Sequence, residues 1–153
     1  GLKALSSLRM EKGYRDYGHD IDNTDTVLEA GLGFAVALDK PGGFLGRDAV
    51  AAQKAAGPLR KRLVQVVVDD PEPLLVHAEV VRRDGVPLGY VRAASYGHTL
   101  GAAVGLAMLE ADEPIDAAFL SSGEWTIEIA DRQWPCRPSL RPLYDPANEK
   151  VKG

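Results

Sequence analysis

The turn dipeptide Asp84-Gly85 constrains the possible folds more than any other feature of this sequence. It separates two segments rich in β-branched residues, 78–83 and 86–91, and Asp-Gly suits a two-residue turn because both positions tolerate positive φ angles. The sequence therefore predicts a β-hairpin over 78–91. An isolated hairpin is marginally stable in water, so further strands are needed to cover its apolar face.

Other segments supply candidate strands. Residues 63–68 (LVQVVV) are mostly β-branched, and residues 125–129 alternate apolar with polar side chains, as a half-buried strand does. Residues 132–139 can pair back on that strand. The run 101–109 (GAAVGLAML) is predicted as a strand because its two glycines disfavour a helix. Short strands separated by turn residues favour a small antiparallel β-barrel or jelly roll.

The first 57 residues have a different pattern. Residues 2–12 have helical spacing, the continuous apolar run 32–38 (LGFAVAL) predicts a buried strand, and residues 46–56 contain strong helix formers. The second helix would end at Gly57-Pro58, which we take as a boundary. The predicted fold class is α+β, with a helix-strand-helix unit over 1–57 and a barrel domain over 58–153.

Arg9 is the unusual residue of the first predicted helix. It projects into an apolar arc that includes Leu2, Leu5 and Leu8. Because a guanidinium stays protonated, it must either reach water or meet an anion or a carbonyl oxygen. The acidic stretch 20–25 that follows is rich in turn-forming residues and predicts a surface loop.

Composition excludes several partners. The formal net charge is -4 and the pI about 5.4, so no general positive field would hold nucleic acid or an anionic membrane. The longest apolar run, 101–109, is about half of a bilayer span. A single cysteine, Cys136, cannot form an internal disulfide, which fits a reducing compartment. We therefore expect a cytoplasmic protein, and the helix-like start without a methionine suggests the end of a longer one.

No catalytic or metal site is predicted within the chain. The three histidines lack ligand spacing, and no local signature pairs one of them with Cys136, which we expect to be a small core or edge residue. Residues 95–98 (SYGH) lack the glycine elbow pattern of a nucleophile. The basic residues at 60–62, 82–83 and 92 are expected to face water at strand ends.

The stretch 7–22 (SLRMEKGYRDYGHDID) resembles the aminomethyltransferase, or glycine-cleavage T-protein, family. The shared pattern is a small residue, then Leu-Arg-hydrophobic-Glu-Lys/Ala-Gly, an aromatic residue and an Asp-Ile-Asp-like run. The order continues through 28–32 (LEAGL), 44–49 (FLGRDA) and 60–64 (RKRLV). Residues 89–92 and 143–148 are most similar to the C-terminal region of sarcosine and dimethylglycine dehydrogenases.

The resemblance implies a function. In such flavoenzymes an N-terminal domain that binds FAD oxidises the N-methyl group of a small amino acid, and a T-protein-like half transfers the carbon to tetrahydrofolate. Residues 1–57 would end the folate-binding domain. The partners would be upstream domains of the same protein. The alternatives are a free-standing aminomethyltransferase-like protein, or a non-catalytic barrel that packs on a flavin domain.

The resemblance also implies three folate-site residues, Arg9, Glu11 and Tyr17. Arg9 matches an arginine at the folate or substrate pocket, although in a non-catalytic module it would be an internal clamp. Glu11 stands beside it and could instead form a salt bridge within the fold. Tyr17 could stack on a flat ring or fill the core. The family's catalytic acid lies upstream of this chain.

Overall fold

In the computed structural model, which describes residues 1–153 apart from the side chain of Val151, six strands occupy the region from 61 to 139. They are β1 (Lys61–Val68), β2 (Val80–Arg83), β3 (Val86–Gly97), β4 (Ala102–Glu110), β5 (Trp125–Ile129) and β6 (Arg132–Ser139). All pair antiparallel, in the order β1-β4-β3-β2-β5-β6, and β6 closes the barrel on β1. The predicted antiparallel barrel is confirmed.

The helices precede, interrupt and follow the run of barrel strands. They are α1 (Leu2–Glu11), a short 3₁₀ helix (Gly33–Ala35), α2 (Arg47–Ala55), α3 (Ala117–Leu120) and α4 (Glu149–Lys152). Both helices predicted in the first 57 residues are therefore present. The division into two domains near residue 57 remains a prediction. No helix of the described residues is long and apolar enough to span a bilayer.

The hairpin at Asp84-Gly85 forms as predicted. Both residues have positive φ angles, 52° and 79°, and Arg83 pairs with Val86 across the turn. The right-handed twist of the strands favours this kind of tight turn. Residues 125–129 and 132–139 also form neighbouring strands, with Trp125 and Ile127 buried inside the barrel.

Strands β1 and β4 are buried on both faces. Val64, Val66 and Ala107 point into the barrel interior, where they join one hydrophobic core. The outward-facing side chains of the same strands join a second core that the N-terminal segment covers. That second core contains Met10, Ile21, Ala30, Leu63, Ala93, Val104, Leu106 and Met108. Burial on both faces explains why 101–109 is a continuous apolar run rather than an alternating one.

The buried strand predicted over 32–38 is wrong. Local turns and the 3₁₀ helix occupy this stretch, and Phe34 is 85% exposed. The backbone N–H of Leu32 donates to Val27 and that of Ala35 donates to Leu32, so the hydrogen bonds stay local. A closed barrel has no free edge for another strand to join, which removes the main reason for this run to be extended.

The acidic loop was expected at the surface, and this expectation is also wrong for its key residues. The side chains of Asp20 and Asp25 are fully buried, and both form ion pairs. The leucines of the apolar arc of α1, in contrast, are exposed: Leu2, Leu5 and Leu8 all face solvent. The buried face of α1 instead carries Ser7, Met10 and Glu11.

Gly89 provides a test of the β3–β4 pairing. A Cβ at this position would collide with the carbonyl group of Met108 and the backbone of Leu109, neither of which can rotate away. We expect Gly89→Ala to lower the free energy of unfolding by about 2–3 kcal/mol, measured by urea denaturation. The control is Gly85→Asn, because Asn tolerates positive φ and a Cβ there meets no atom within 4 Å. Equal stability of the two variants would contradict the register described here.

Candidate functional site

The C-terminal end of α1 is joined to the barrel by one buried glutamine. Gln65 on β1 donates from Nε2 to the carbonyl oxygens of Met10 (2.5 Å) and Glu11 (3.2 Å). Its Oε1 accepts the backbone N–H of Leu143 at 2.6 Å. One side chain thus connects the helix, a central strand and the C-terminal segment.

Lys12 and Gly13 strengthen this junction. The Nζ of Lys12 donates to the carbonyl oxygen of Asp145 at 2.7 Å and lies 3.2 Å from its Oδ2. Gly13 ends the helix with φ 62°, and a Cβ there would lie 3.6 Å from Pro142. The chain after α1 is therefore held against residues 142–145, which places the following loop over the barrel wall.

Arg9, the first predicted site residue, binds an anion within the chain. Its Nη1 lies 2.5 Å from Oδ2 of Asp20, and its Nη2 lies 3.2 Å from Oδ1. Nη1 also donates to the carbonyl oxygen of Tyr14 at 3.1 Å. The side chain of Arg9 is 20% exposed. Of the two alternatives predicted for this guanidinium, reaching water or meeting an anion or a carbonyl oxygen, the second is confirmed, since it meets both Asp20 and the carbonyl oxygen of Tyr14.

Asp20 is held from several directions. Its Oδ2 accepts the backbone N–H of Asp16 at 2.9 Å, and its Oδ1 lies 3.0 Å from Nδ1 of His19. The ring of His19 in turn meets the ring of His77 edge-on, with centroids 6.1 Å apart. Because Asp20 is fully buried, these donors together compensate the loss of water around its carboxylate.

Asp25 anchors the other end of the acidic loop to the barrel. Its Oδ1 lies 2.9 Å from Nζ of Lys61 on β1, and its Oδ2 lies 2.5 Å from Nη1 of Arg92 on β3. Burial raises the pKa of Asp25, but the hydrogen bonds from Arg92 and Lys61 outweigh it and hold this pKa below its usual value. The hydrogen bond to Asp25 raises the pKa of Lys61. These two cations were expected to face water, and that expectation is wrong.

A β-bulge places Arg92 for this contact. Val91 pairs with Ala107 and Ala93 pairs with Leu106, so Arg92 is an extra residue in β3. Bulges of this kind redirect side chains out of the normal alternation. The Nη1 of Arg92 reaches the backbone carbonyl of Asp20 as well, at 3.2 Å.

Glu11, the second predicted site residue, is almost fully buried and supports a turn. Its Oε1 accepts the backbone N–H groups of Thr99 (2.6 Å) and Leu100 (2.9 Å), between β3 and β4. The contact is with the backbone, so the salt bridge considered for it is absent from the described residues. Glu11 also lines a cleft of about 500 Å³ together with Leu8 and His98.

Tyr17, the third predicted site residue, does not fill the core. It is 71% exposed, and its backbone forms an isolated bridge with Ile21. The interpretation that it fills the core is therefore wrong, and stacking on a flat ligand stays a prediction.

The other reactive side chains have structural positions. Burial, together with the charge of Asp69, raises the pKa of Cys136 to about 12, so its thiolate does not form near neutral pH. Its predicted place in the core is confirmed. Among the described residues, no group of three or more His, Cys, Asp or Glu side chains could hold a metal ion.

Sequence reasoning missed Asp20, Asp25 and Gln65, which position the loop and the end of α1. The available signal was electrostatic. A guanidinium in an apolar arc that does not reach water needs an anion or a carbonyl oxygen, and the acidic stretch 20–25 supplied candidate anions. Nothing in the sequence indicated which of its carboxylates would be buried.

The fold is a closed antiparallel barrel whose outer wall is covered by an N-terminal segment, namely helix α1 and the acidic loop 20–25. We call this segment the N-terminal cover. The model of the glycine cleavage T-protein C-terminal barrel domain matches residues 61–145, and that of the GCVT N-terminal domain matches residues 1–40. The chain belongs to the glycine cleavage T-protein family. The resemblance found in the sequence is thereby confirmed.

Relatives include both oxidases and transferases. Over its whole length the chain is 45% identical to a 4-methylaminobutanoate oxidase (formaldehyde-forming) from Paenarthrobacter nicotinovorans and 36% identical to the mitochondrial sarcosine dehydrogenase of Homo sapiens. It spans only 18% and 17% of those proteins. An aminomethyltransferase from Stenotrophomonas maltophilia is 36% identical over 90% of this chain and 34% of its own length.

A solved structure shares the fold. The glycine cleavage system aminomethyltransferase T from Bartonella henselae superposes with a TM-score of 0.77 at 21% identity. The match covers 95% of this chain and 39% of that protein. The barrel and its N-terminal cover thus recur together in a larger protein.

Asp25 provides a test of the ion pairs on the barrel wall. Asp25→Asn would leave two partly buried cations without their anion, and we expect a loss of about 3 kcal/mol in the free energy of unfolding at pH 7. Because the folded-state pKa of Asp25 is lowered, its contribution is present above about pH 4 and disappears as the pH falls through that lowered value. The variant should therefore lose less stability on acidification than the wild type.

The measurement is urea denaturation at a series of pH values from neutral to acid. Asp39→Asn is the matched control, because Asp39 is an exposed aspartate outside this cluster. A variant that keeps wild-type stability at neutral pH would show that Asp25 does not secure the loop.

Proposed function

We propose that this chain is the C-terminal part of a longer flavoenzyme that oxidises an N-methylated amino acid, and that it forms one wall of a tetrahydrofolate site. Membership of the T-protein family supports the folate site. The names of the two oxidising relatives, which act on sarcosine and 4-methylaminobutanoate, support the substrate class. FAD and the catalytic acid would belong to upstream domains of the same protein.

The guanidinium of Arg9 carries the proposal. It has five N–H donors, and the contacts to Asp20 and Tyr14 use three of them, all on Nη1 and Nη2. The Nε–H and one N–H of Nη2 have no acceptor among the described residues. These two groups lie on one edge of the guanidinium and point in parallel, which is the geometry that binds a carboxylate with two hydrogen bonds.

The ligand for this edge would be a carboxylate. Tetrahydrofolate ends in a glutamyl tail with two carboxylates, and the N-methylated amino acid substrates carry one. A partly exposed arginine at the end of α1 could bind either of them without changing its pair with Asp20. We propose the glutamyl tail, because the family membership of the chain points to folate.

Tyr17 and Glu11 have different places in this proposal. The exposed ring of Tyr17 would stack on a flat part of the ligand, a contact worth roughly 1 kcal/mol. Glu11 would line the cleft beside Leu8, where its Oε1 is held by backbone N–H groups of the turn at 99–100. Both would then contribute to the wall that Arg9 begins.

A second candidate function is oxidation with release of formaldehyde. The 45% identical relative is named as formaldehyde-forming, which favours a protein in which the carbon leaves free. The barrel would then be a non-catalytic module, and Arg9 would serve only as an internal clamp on Asp20. A free-standing aminomethyltransferase is the third arrangement, and an upstream folate-binding half without a flavin domain would favour it.

The two fates of the carbon can be separated by product analysis. The full-length enzyme would be supplied with sarcosine or 4-methylaminobutanoate, with and without tetrahydrofolate. Free formaldehyde condenses with tetrahydrofolate without an enzyme, so a mixture of formaldehyde and tetrahydrofolate alone measures that background. We expect the enzyme to form 5,10-methylenetetrahydrofolate faster than this background. Formation of 5,10-methylenetetrahydrofolate only at the background rate, after free formaldehyde has accumulated, would reject the folate site in favour of release.

The role of Arg9 can be measured separately by titration calorimetry with tetrahydrofolate. Arg9→Ala in the full-length enzyme should weaken binding about 10- to 100-fold, because two hydrogen bonds to a charged group are lost. Reduction of the flavin by substrate should be largely retained. Arg9→Lys should also bind weakly, since a lysine can pair with Asp20 but has no planar second edge.

The matched control is Arg137→Ala, which removes an exposed arginine of β6 that pairs with Asp69 and contacts neither Arg9 nor Asp20. We expect this variant to bind tetrahydrofolate as the wild type does. Unchanged affinity in Arg9→Ala would reject the assignment of Arg9 to the folate site.

A further inference from the structure

The carboxylate of Asp20 occupies one edge of the Arg9 guanidinium and leaves the other edge open. We propose that Asp20 is a positioning residue of the tetrahydrofolate site: it fixes the plane of the Arg9 guanidinium so that the open edge faces a ligand carboxylate. This inference rests on the proposed function. Asp20 itself is fully buried and would not touch the ligand.

The contacts of Asp20 suit this role. Both of its oxygens bind Arg9, one to Nη1 and one to Nη2, so the guanidinium can rotate about neither contact alone. The carboxylate is itself fixed, because Oδ2 accepts the N–H of Asp16 and Oδ1 contacts His19. A side chain held in its binding geometry before the ligand arrives loses less conformational entropy on binding.

The barrel holds Asp20 in turn. Arg92 donates to the backbone carbonyl of Asp20 and is fixed by its ion pair with Asp25. Asp25 also binds Lys61 on β1. Contacts therefore run from two barrel strands through the acidic loop to Arg9. This gives the barrel a part in the site although its own side chains would not reach the ligand.

A purely structural Asp20 would behave differently from a positioning one. If it only stabilised the fold, its replacement would change the affinities for all ligands alike, and would leave them unchanged at a temperature where the protein is folded. If it positions Arg9, its replacement should weaken only ligands that carry the carboxylate, and it should do so only while Arg9 is present. A double-mutant cycle separates these cases.

The experiment compares Asp20→Asn, Arg9→Ala and the double variant in the full-length enzyme by calorimetry. Two probes are used, tetrahydrofolate and 6-methyltetrahydropterin, which lacks the glutamyl tail. We expect Asp20→Asn to weaken tetrahydrofolate binding about fivefold or more. Affinity for the tail-less pterin should stay within about twofold, and the substitution should add less than about twofold in the Arg9→Ala background.

Val66→Ala is the matched control for lost stability, because Val66 is fully buried inside the barrel and contacts neither residue of the pair. It should leave both affinities unchanged at a temperature where the proteins are folded. Should Asp20→Asn fail to fold, Asp20→Glu supplies the same comparison. It retains the negative charge but displaces the guanidinium by one methylene.

The outcomes distinguish the two proposals. Weak tetrahydrofolate binding in Arg9→Ala with wild-type binding in Asp20→Asn would overturn the positioning role and leave the proposed function standing. Equal weakening of both probes by Asp20→Asn, or full additivity with Arg9→Ala, would also overturn it. Unchanged binding in Arg9→Ala would overturn the proposed site and this inference with it.

Discussion

Two buried carboxylates fix the N-terminal segment: that of Asp25 binds it to the outside of the barrel, and that of Asp20 holds the segment in its own fold. Transfer of a carboxylate from water to a protein interior costs several kcal/mol, so each must be compensated by cations and hydrogen bonds in good geometry. Arg9 and the N–H of Asp16 compensate Asp20, while Lys61 and Arg92 compensate Asp25. The partners of the Asp20 carboxylate lie within the N-terminal segment itself, whereas those of Asp25 come from two barrel strands, so the Asp25 carboxylate is satisfied only when the two halves of the chain meet.

This electrostatic requirement explains how an outer hydrophobic core can exist. Leu63 and Met108 point away from the barrel interior and would be exposed on an isolated barrel. Met10 and Ala30 cover them, and the covering segment is fastened at one end by Gln65 and at the other by the ion pairs. Apolar burial supplies most of the attraction between the segment and the wall, whereas the directional contacts fix where the segment lies.

The Glu-Lys-Gly sequence at the end of α1 shows how one short motif serves several contacts. Glu11 receives two backbone N–H groups from the β3–β4 turn, and Lys12 binds Asp145 in the C-terminal segment. Gly13 then turns the chain with a positive φ angle. The motif joins three regions that are distant in sequence, and this junction places Arg9 at the edge of the barrel wall.

The sequence by itself indicated the strands of a small antiparallel barrel or jelly roll, because the Asp84-Gly85 turn and the β-branched segments act over a few residues. It also limited Arg9 to two outcomes, contact with water or with an anion or carbonyl oxygen, since a guanidinium keeps its charge. Tertiary structure alone decided that the anion bound by Arg9 is Asp20. It also decided that Lys61 and Arg92 bind Asp25 and that the apolar run 32–38 is not a strand. These outcomes depend on closure of the barrel and on the approach of two segments far apart in the chain, and the periodicity of neighbouring residues carries no information about either.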